Sequence, residues 1–130
     1  MNIVDSSGWV EYLTKGANGP VFQPVVQDTK NLLIPTISIY EVFKRVLLET
    51  DAETALQITG VMSLGQEVTL DREIAIEAAQ ISVKLKLAMA DSIILATARI
   101  YGATLWTQDA HFKDVEGVRY VEKPEVGSKK

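Results

Sequence analysis

The chain contains no cysteine and a single histidine among its 130 residues. The first absence excludes a disulfide framework, a thiolate–zinc site and a cysteine nucleophile, and it fits a reducing compartment. The second excludes the histidine-rich sites of many metallohydrolases, so the usual nucleophile–base pairs are poorly supplied. No apolar run approaches the roughly 18–20 residues needed to span a bilayer. The opening Met1-Asn-Ile-Val-Asp5 has no basic region followed by an apolar one. No signal peptide is therefore expected, and the protein is read as cytoplasmic without a membrane partner. Positive charge is also scarce, with a net charge of −4 and a pI of about 5.0. This argues against gripping nucleic acid through overall charge, though not against a local basic patch.

What is present suits one globular domain with a real hydrophobic core, since 47% of residues are hydrophobic and 23% charged. The domain is placed at residues 1–123, with a loose tail at 124–130. Short apolar runs at Ile3–Val4, Leu32–Ile34, Glu67–Leu70, Ala103–Thr107 and Val118–Val121 read as strands. Helical patterns lie between them, so the fold class is α/β, a parallel sheet covered by helices on both faces. Ser38-Ile-Tyr-Glu41 reads as a capping box opening a helix to about Glu49, and Thr50-Asp-Ala-Glu53 as a second, its helix closed by Gly65. Asp71 is placed to cap a helix with Ile74, Ala78, Ile81 and Leu85 on one face. The segment Asp91–Tyr101 is apolar on nearly every side and ends at Gly102, the pattern of a buried helix. Pro20–Thr29 is ambiguous, because Pro24 either breaks a helix or begins one.

Four acids stand where open α/β sheets do chemistry, beyond the carboxyl ends of strands. Asp5 follows the first strand, Glu41 lies early in the helix after the second, Asp91 opens the apolar helix, and Asp109 follows the fourth strand. Each has a plainer reading on its own: helix caps for Asp5 and Asp91, a capping box for Glu41, a turn residue for Asp109. Their common position carries the weight. Four carboxylates in one mouth repel and raise one another's pKa. A hard divalent cation, Mg²⁺ or Mn²⁺, relieves that repulsion and also binds phosphate oxygens, which points to phosphoryl chemistry.

These segments, in order, resemble PIN domains, and most closely the VapC-type toxins of bacterial toxin–antitoxin pairs. Ile3-Val-Asp-Ser-Ser-Gly-Trp9 is similar to the family's opening strand and first acid, and Thr36-Ile-Ser-Ile-Tyr-Glu41 to its second motif. Ala88-Met-Ala-Asp91-Ser-Ile-Ile-Leu-Ala-Thr-Ala98 is similar to the third and Leu105-Trp-Thr-Gln-Asp109-Ala-His-Phe112 to the fourth. The resemblance covers about residues 1–121. It implies an α/β/α sandwich around a parallel sheet of about five strands. It also implies a Mg²⁺- or Mn²⁺-dependent endoribonuclease that hydrolyses RNA phosphodiesters through Asp5, Glu41, Asp91 and Asp109. Ser6 and Thr107 match polar positions beside the acids, where they orient a carboxylate, a water or a phosphate oxygen, or else make local turn contacts. A cognate antitoxin protein and a homodimer are implied as well.

No clear basic strip accompanies the acids. Lys44 and Arg45, within a turn of Glu41, are the first candidates for holding RNA. Lys84, Lys86, Arg99 and Lys113 read as solvated faces. His111 lies close to Asp109 in sequence, yet a loop or packing role is favoured; Asp114 reads as an exposed loop acid or a secondary carboxylate near the site. Trp9, Tyr12 and Leu13, together with Met62 and Met89, read as core. The nearest alternative is a housekeeping RNA-processing nuclease of the same fold. A non-catalytic PIN module is disfavoured by the retention of all four acids. A phosphoacceptor receiver domain is disfavoured because Asp5 lacks a paired acid after the first strand.

Overall fold

In the computed structural model, which describes residues 1–124, all five expected strands form and every pairing is parallel. The chain runs β1 (Asn2–Val4), α1 (Ser6–Leu13), α2 (Gly19–Gln27), β2 (Leu33–Pro35), α3 (Thr36–Glu49) and α4 (Ala52–Gly60). It continues through β3 (Gln66–Val68), α5 (Arg72–Leu85), α6 (Met89–Tyr101), β4 (Thr104–Thr107) and β5 (Val118–Tyr120). β1, β4 and β5 make one ladder and β2 with β3 another; a single parallel bridge between Asn2 and Leu32 joins them. The resulting order is β3-β2-β1-β4-β5. The chain moves outward from β1 in one direction, then returns to β1's other side with β4. The β1/β4 boundary is therefore the switch point at which such sheets open a crevice.

The strands are short but buried, and alternate side chains reach opposite faces. Ile3, Leu33 and Leu105 pack with Ile74, Ile81, Ile94 and Phe112 under α5 and α6. Their neighbours Val4 and Ile34 pack with Trp9, Phe22, Val42 and Met62 under α1 to α4. Helices thus cover both faces, giving the expected α/β/α layering. None of the described helices is long and apolar enough to cross a membrane. The expected tail lies outside the described residues, apart from Pro124.

Several local expectations are corrected. The Ser38 capping box does not form: α3 begins at Thr36, directly after the extended Pro35, and Ser38 is buried inside the first turn with no partner for its hydroxyl. Thr50 is likewise not a cap. Its Oγ1 donates back to the Val46 carbonyl at 2.7 Å, and Asp51 caps α4 by accepting from Thr54 N at 2.8 Å. A 3₁₀ turn, Val61–Leu64, extends α4 as far as Gly65. Pro24 neither breaks nor starts α2 but sits exposed within it, while Phe22, Val25 and Val26 bury the opposite face. α6 starts two residues before Asp91, and Met89 is 73% exposed rather than core. Asp71 caps α5 through Ile74 N, and Gly102 closes α6 in the left-handed region at φ +63, both as expected.

One close approach sets the geometry at the β1–α1 corner. A Cβ on Gly8 would lie 2.6 Å from Val4 Cγ1 and 3.0 Å from Phe22 Cε1. Gly8→Ala is expected to cost about 1–3 kcal/mol through overpacking. Urea unfolding checks this, and an unchanged midpoint would contradict the packing described.

Candidate metal centre

Asp5 is the first residue beyond β1 and the N-cap of α1, where its side chain accepts from Gly8 N at 3.0 Å. The plain cap reading of the sequence is therefore right, and incomplete. A cap normally faces water, whereas Asp5 is 3% exposed. Two further donors hold it: Ser7 Oγ on Oδ1 at 2.8 Å and Thr107 Oγ1 on Oδ2 at 2.6 Å. Burial pushes the carboxyl up to about 6; the hydrogen bonds from Thr107, Gly8 and Ser7 oppose this, and Asp109's charge adds to it.

Thr107 ties two of the acids together. Its hydroxyl donates to Asp5 and accepts from the backbone N of Asp109 at 2.9 Å. Asp109 begins the 3₁₀ turn Ala110–Phe112 and accepts, on Oδ1, from His111 N at 2.9 Å. His111 Nδ1 lies 3.0 Å from the same oxygen. Phe112, buried in the core, anchors the turn from behind.

Glu41, half-buried on the second turn of α3, accepts from Ser6 Oγ. This explains why it does not close a capping box: its carboxyl reaches across to α1. Asp91 is half-buried in the first turn of α6, and its carboxyl makes no hydrogen bond with any described residue. Its carboxyl is also pushed up to about 6, first by burial, then by the charges of Asp109, Asp5 and Glu41, with His111 opposing. Asp91 thus lies within electrostatic reach of all three other acids. Four chain segments deliver four carboxylates to the crevice at the β1/β4 switch point.

The donor chemistry fits a divalent cation. One ligand atom each from Asp91, Asp109 and His111 lies within 4.8 Å of the others. Two acids held partly protonated by burial and mutual repulsion describe a pocket that is costly to ionise without a compensating charge.

Of the other candidates, Ser6 holds Glu41 and Thr107 holds Asp5. Lys44 and Arg45 are exposed and share a groove with Ser6, Ser7 and Glu41. Arg45 pairs with Glu49 at 2.9 Å, and the Lys44 ammonium sits 5.8 Å from the Tyr40 ring centre. Arg99 reaches the Glu116 carbonyl, and Lys84, Lys86 and Lys113 are solvated, as read. Asp114 is exposed in a turn at φ 65. Trp9 is core, with Tyr12 and Leu13 partly buried against it. His111 lies in the exposed 3₁₀ turn, in keeping with its loop reading, and is not packed in the core; its Nδ1 reaches Asp109, two residues away in sequence. Ser7 had no signal beyond adjacency to Asp5. Also unforeseen is a clamp behind the turn. Buried Gln108 donates through Nε2 to Glu11 Oε1 at 3.1 Å and accepts from Asn18 Nδ2 at 2.9 Å. Asn18 N donates to Glu11 Oε2 at 2.8 Å, and Asn18 Nδ2 reaches the Glu122 carbonyl at 3.2 Å.

Comparison with known proteins agrees with the fold. The profile of the family described as PIN domain matches residues 3–118. No curated protein matches the sequence. Among solved structures, a toxin–antitoxin complex from Klebsiella pneumoniae contains a chain with TM-score 0.77 and 21% identity, covering 95% of this chain and 100% of that one. A DNA-bound VapBC from Salmonella typhimurium gives TM-score 0.75 and 19% identity, over 93% of this chain and 96% of that one. A sarcin–ricin-loop-cleaving toxin from Mycobacterium tuberculosis gives 0.73 and 12%, over 95% and 98%. At these identities the likeness is one of fold.

The raised carboxyls make stability depend on pH. A carboxyl whose folded pKa exceeds its unfolded 3.8 favours the folded state most below that value and loses the advantage as pH rises through about 6. Metal-free protein is therefore expected to gain on the order of 1 kcal/mol from Asp5 between pH 7 and pH 5, read as a rise of a few degrees in Tm. Asp5→Asn should remove Asp5's share of that rise and leave the share of Asp91, whose carboxyl is also raised to about 6, and Mn²⁺ at pH 7 should raise Tm in the unaltered chain. A Tm that falls steadily on acidification would contradict the electrostatics described.

Proposed function

The chain belongs to the PIN-domain family, and from that membership and the site we propose that it is a Mg²⁺- or Mn²⁺-dependent endoribonuclease, the toxin of a toxin–antitoxin pair. The single observation that carries the reading is Asp91, an unpartnered carboxylate facing the charges of Asp5, Glu41 and Asp109 at the sheet's switch point. Phosphodiester hydrolysis requires concentrated positive charge where a phosphate is to be bound, and this pocket is built to hold it.

In this reading Asp5, Glu41, Asp91 and Asp109 hold the ion and are the catalytic acids. When bound, a divalent cation supplies charge neutralisation at the phosphate and lowers the pKa of water. The chain's own groups orient that chemistry. Thr107 and Ser7 fix both oxygens of Asp5, and Ser6 fixes one oxygen of Glu41. Water is the nucleophile in this reading, and no covalent intermediate forms. Lys44 and Arg45 flank Glu41 along the groove and give the RNA backbone its positive contacts. Lys44 is the freer of the two, because Arg45 is paired with Glu49.

In this reading the chain is a toxin with a cognate antitoxin, a homodimeric state and a cytoplasmic setting, as the resemblance to VapC-type toxins implies; the toxin–antitoxin complexes that share its fold support the antitoxin. An apolar groove along α3, lined by Ile39, Tyr40, Phe43 and Leu47, supports protein contacts there.

Purified protein with bulk RNA is expected to cleave in magnesium and to stop in chelator. Asp5→Asn and Asp91→Asn should each lower cleavage by at least roughly 100-fold, the scale set by losing one preorganised electrostatic group. Near-normal, chelator-sensitive cleavage by either folded variant would sink the assignment. Lys44→Ala should raise KM severalfold with kcat little changed, and an unchanged KM would remove Lys44 from the RNA path. Expression without an antitoxin should arrest growth; normal growth with cleavage intact would leave a housekeeping nuclease instead.

A further inference from the structure

We propose that His111 gives the ion site a nitrogen donor and so biases it toward later first-row transition cations, such as Co²⁺, over Mg²⁺. The inference rests on the nuclease reading for the presence of an ion and goes beyond it in naming a non-carboxylate ligand and the class of ion that ligand selects.

Three observations converge on His111. Its ring nitrogen belongs to the group of ligand atoms, with one oxygen each of Asp91 and Asp109, that lie within 4.8 Å of one another. Nδ1 stands 3.0 Å from Asp109 Oδ1. That is a hydrogen-bond distance, and also about the separation of adjacent ligands on one ion bound at roughly 2.1 Å. The residue is also held in place. Its backbone N donates to Asp109 Oδ1, Phe112 N donates to the Asp109 carbonyl at 3.0 Å, and the Phe112 ring is buried. The imidazole itself is open, with 78% of its side chain exposed and Asp109 as its one side-chain partner among the described residues.

The other acids are less free to approach an ion. Asp5 already accepts three hydrogen bonds and Glu41 one, whereas Asp91 accepts none from the described residues. Asp91 is therefore the acid most open to direct ligation, and Asp109, which accepts one hydrogen bond from His111 N, and His111 itself are the groups whose ligand atoms lie within reach of it. Their chemistry is mixed. Magnesium favours oxygen and keeps its waters, whereas imidazole favours ions later in the first transition row. A site of oxygens alone has less means of telling these ions apart.

The test uses the full chain, with Mg²⁺, Mn²⁺ and Co²⁺ each titrated alone by calorimetry and bound Mn²⁺ examined by electron spin-echo spectroscopy. A ¹⁴N coupling is expected in the unaltered protein and absent in His111→Ala. The same variant should bind Co²⁺ about tenfold more weakly, while its Mg²⁺ affinity stays within about twofold and its circular dichroism is unchanged. No ¹⁴N coupling in a protein that binds Mn²⁺, with binding abolished by Asp91→Asn, overturns the inference and leaves the nuclease reading standing. Equal weakening of Mg²⁺ and Co²⁺ in His111→Ala also overturns it, since His111 would then only orient Asp109. Failure of the unaltered chain to bind any of the three ions removes both readings.

Discussion

Mutual repulsion among carboxylates at the mouth of the sheet is the constraint around which the rest of the molecule is arranged. Like charges brought together with partial loss of water oppose folding, and here the acids sit on four elements that the core forces together. Leu105 and Ile3 bury on one face and Val4 on the other, so the β1/β4 ladder is fixed by apolar packing on both sides. That ladder sets Asp5 beside Thr107 whatever the electrostatic cost. Stability contributed by the sandwich interior is thus used to hold a destabilised pocket, the usual relation between a scaffold and a functional site.

The hydroxyl groups show how the cost is contained. Ser6, Ser7 and Thr107 bring neutral donors to charged acceptors without adding a cation that would compete for the site. A lysine or arginine in their place would neutralise the acids permanently. Lys44 and Arg45 stand exposed on the wall of the groove they share with Ser6, Ser7 and Glu41.

Strand positions were readable because the apolar runs are short and bounded. The gathering of the four acids at one edge was legible because Asp5 and Asp109 follow strands while Glu41 and Asp91 lie near the starts of helices. Helix starts were less so: Ser38 and Thr50 both present the capping pattern, yet Pro35 launches α3 early and Asp51 outcompetes Thr50 as the acceptor. Capping is a local preference, and it yields where the preceding strand fixes the entry angle. Glu41 was found for the right position and the wrong local reason, since its partner is Ser6, 35 residues earlier. The Glu11–Gln108–Asn18 clamp could not be read at all. Its members are polar residues of unremarkable type, and only the fold brings Gln108 beneath α1. His111 was close enough to Asp109 to be noticed, but only a rigid turn decides whether such a neighbour faces in or out.

The central ladder also orders events in time. β1 is made first, yet its partner β4 lies about a hundred residues further along, and Asp5 N donates to the Trp106 carbonyl only when that strand arrives. While a ribosome is still making the middle of the chain, Asp5 has neither Thr107 beside it nor Asp109 opposite. The nascent polypeptide therefore carries no assembled acidic cluster for most of its synthesis, and gains one only when the fourth strand emerges and slides into place.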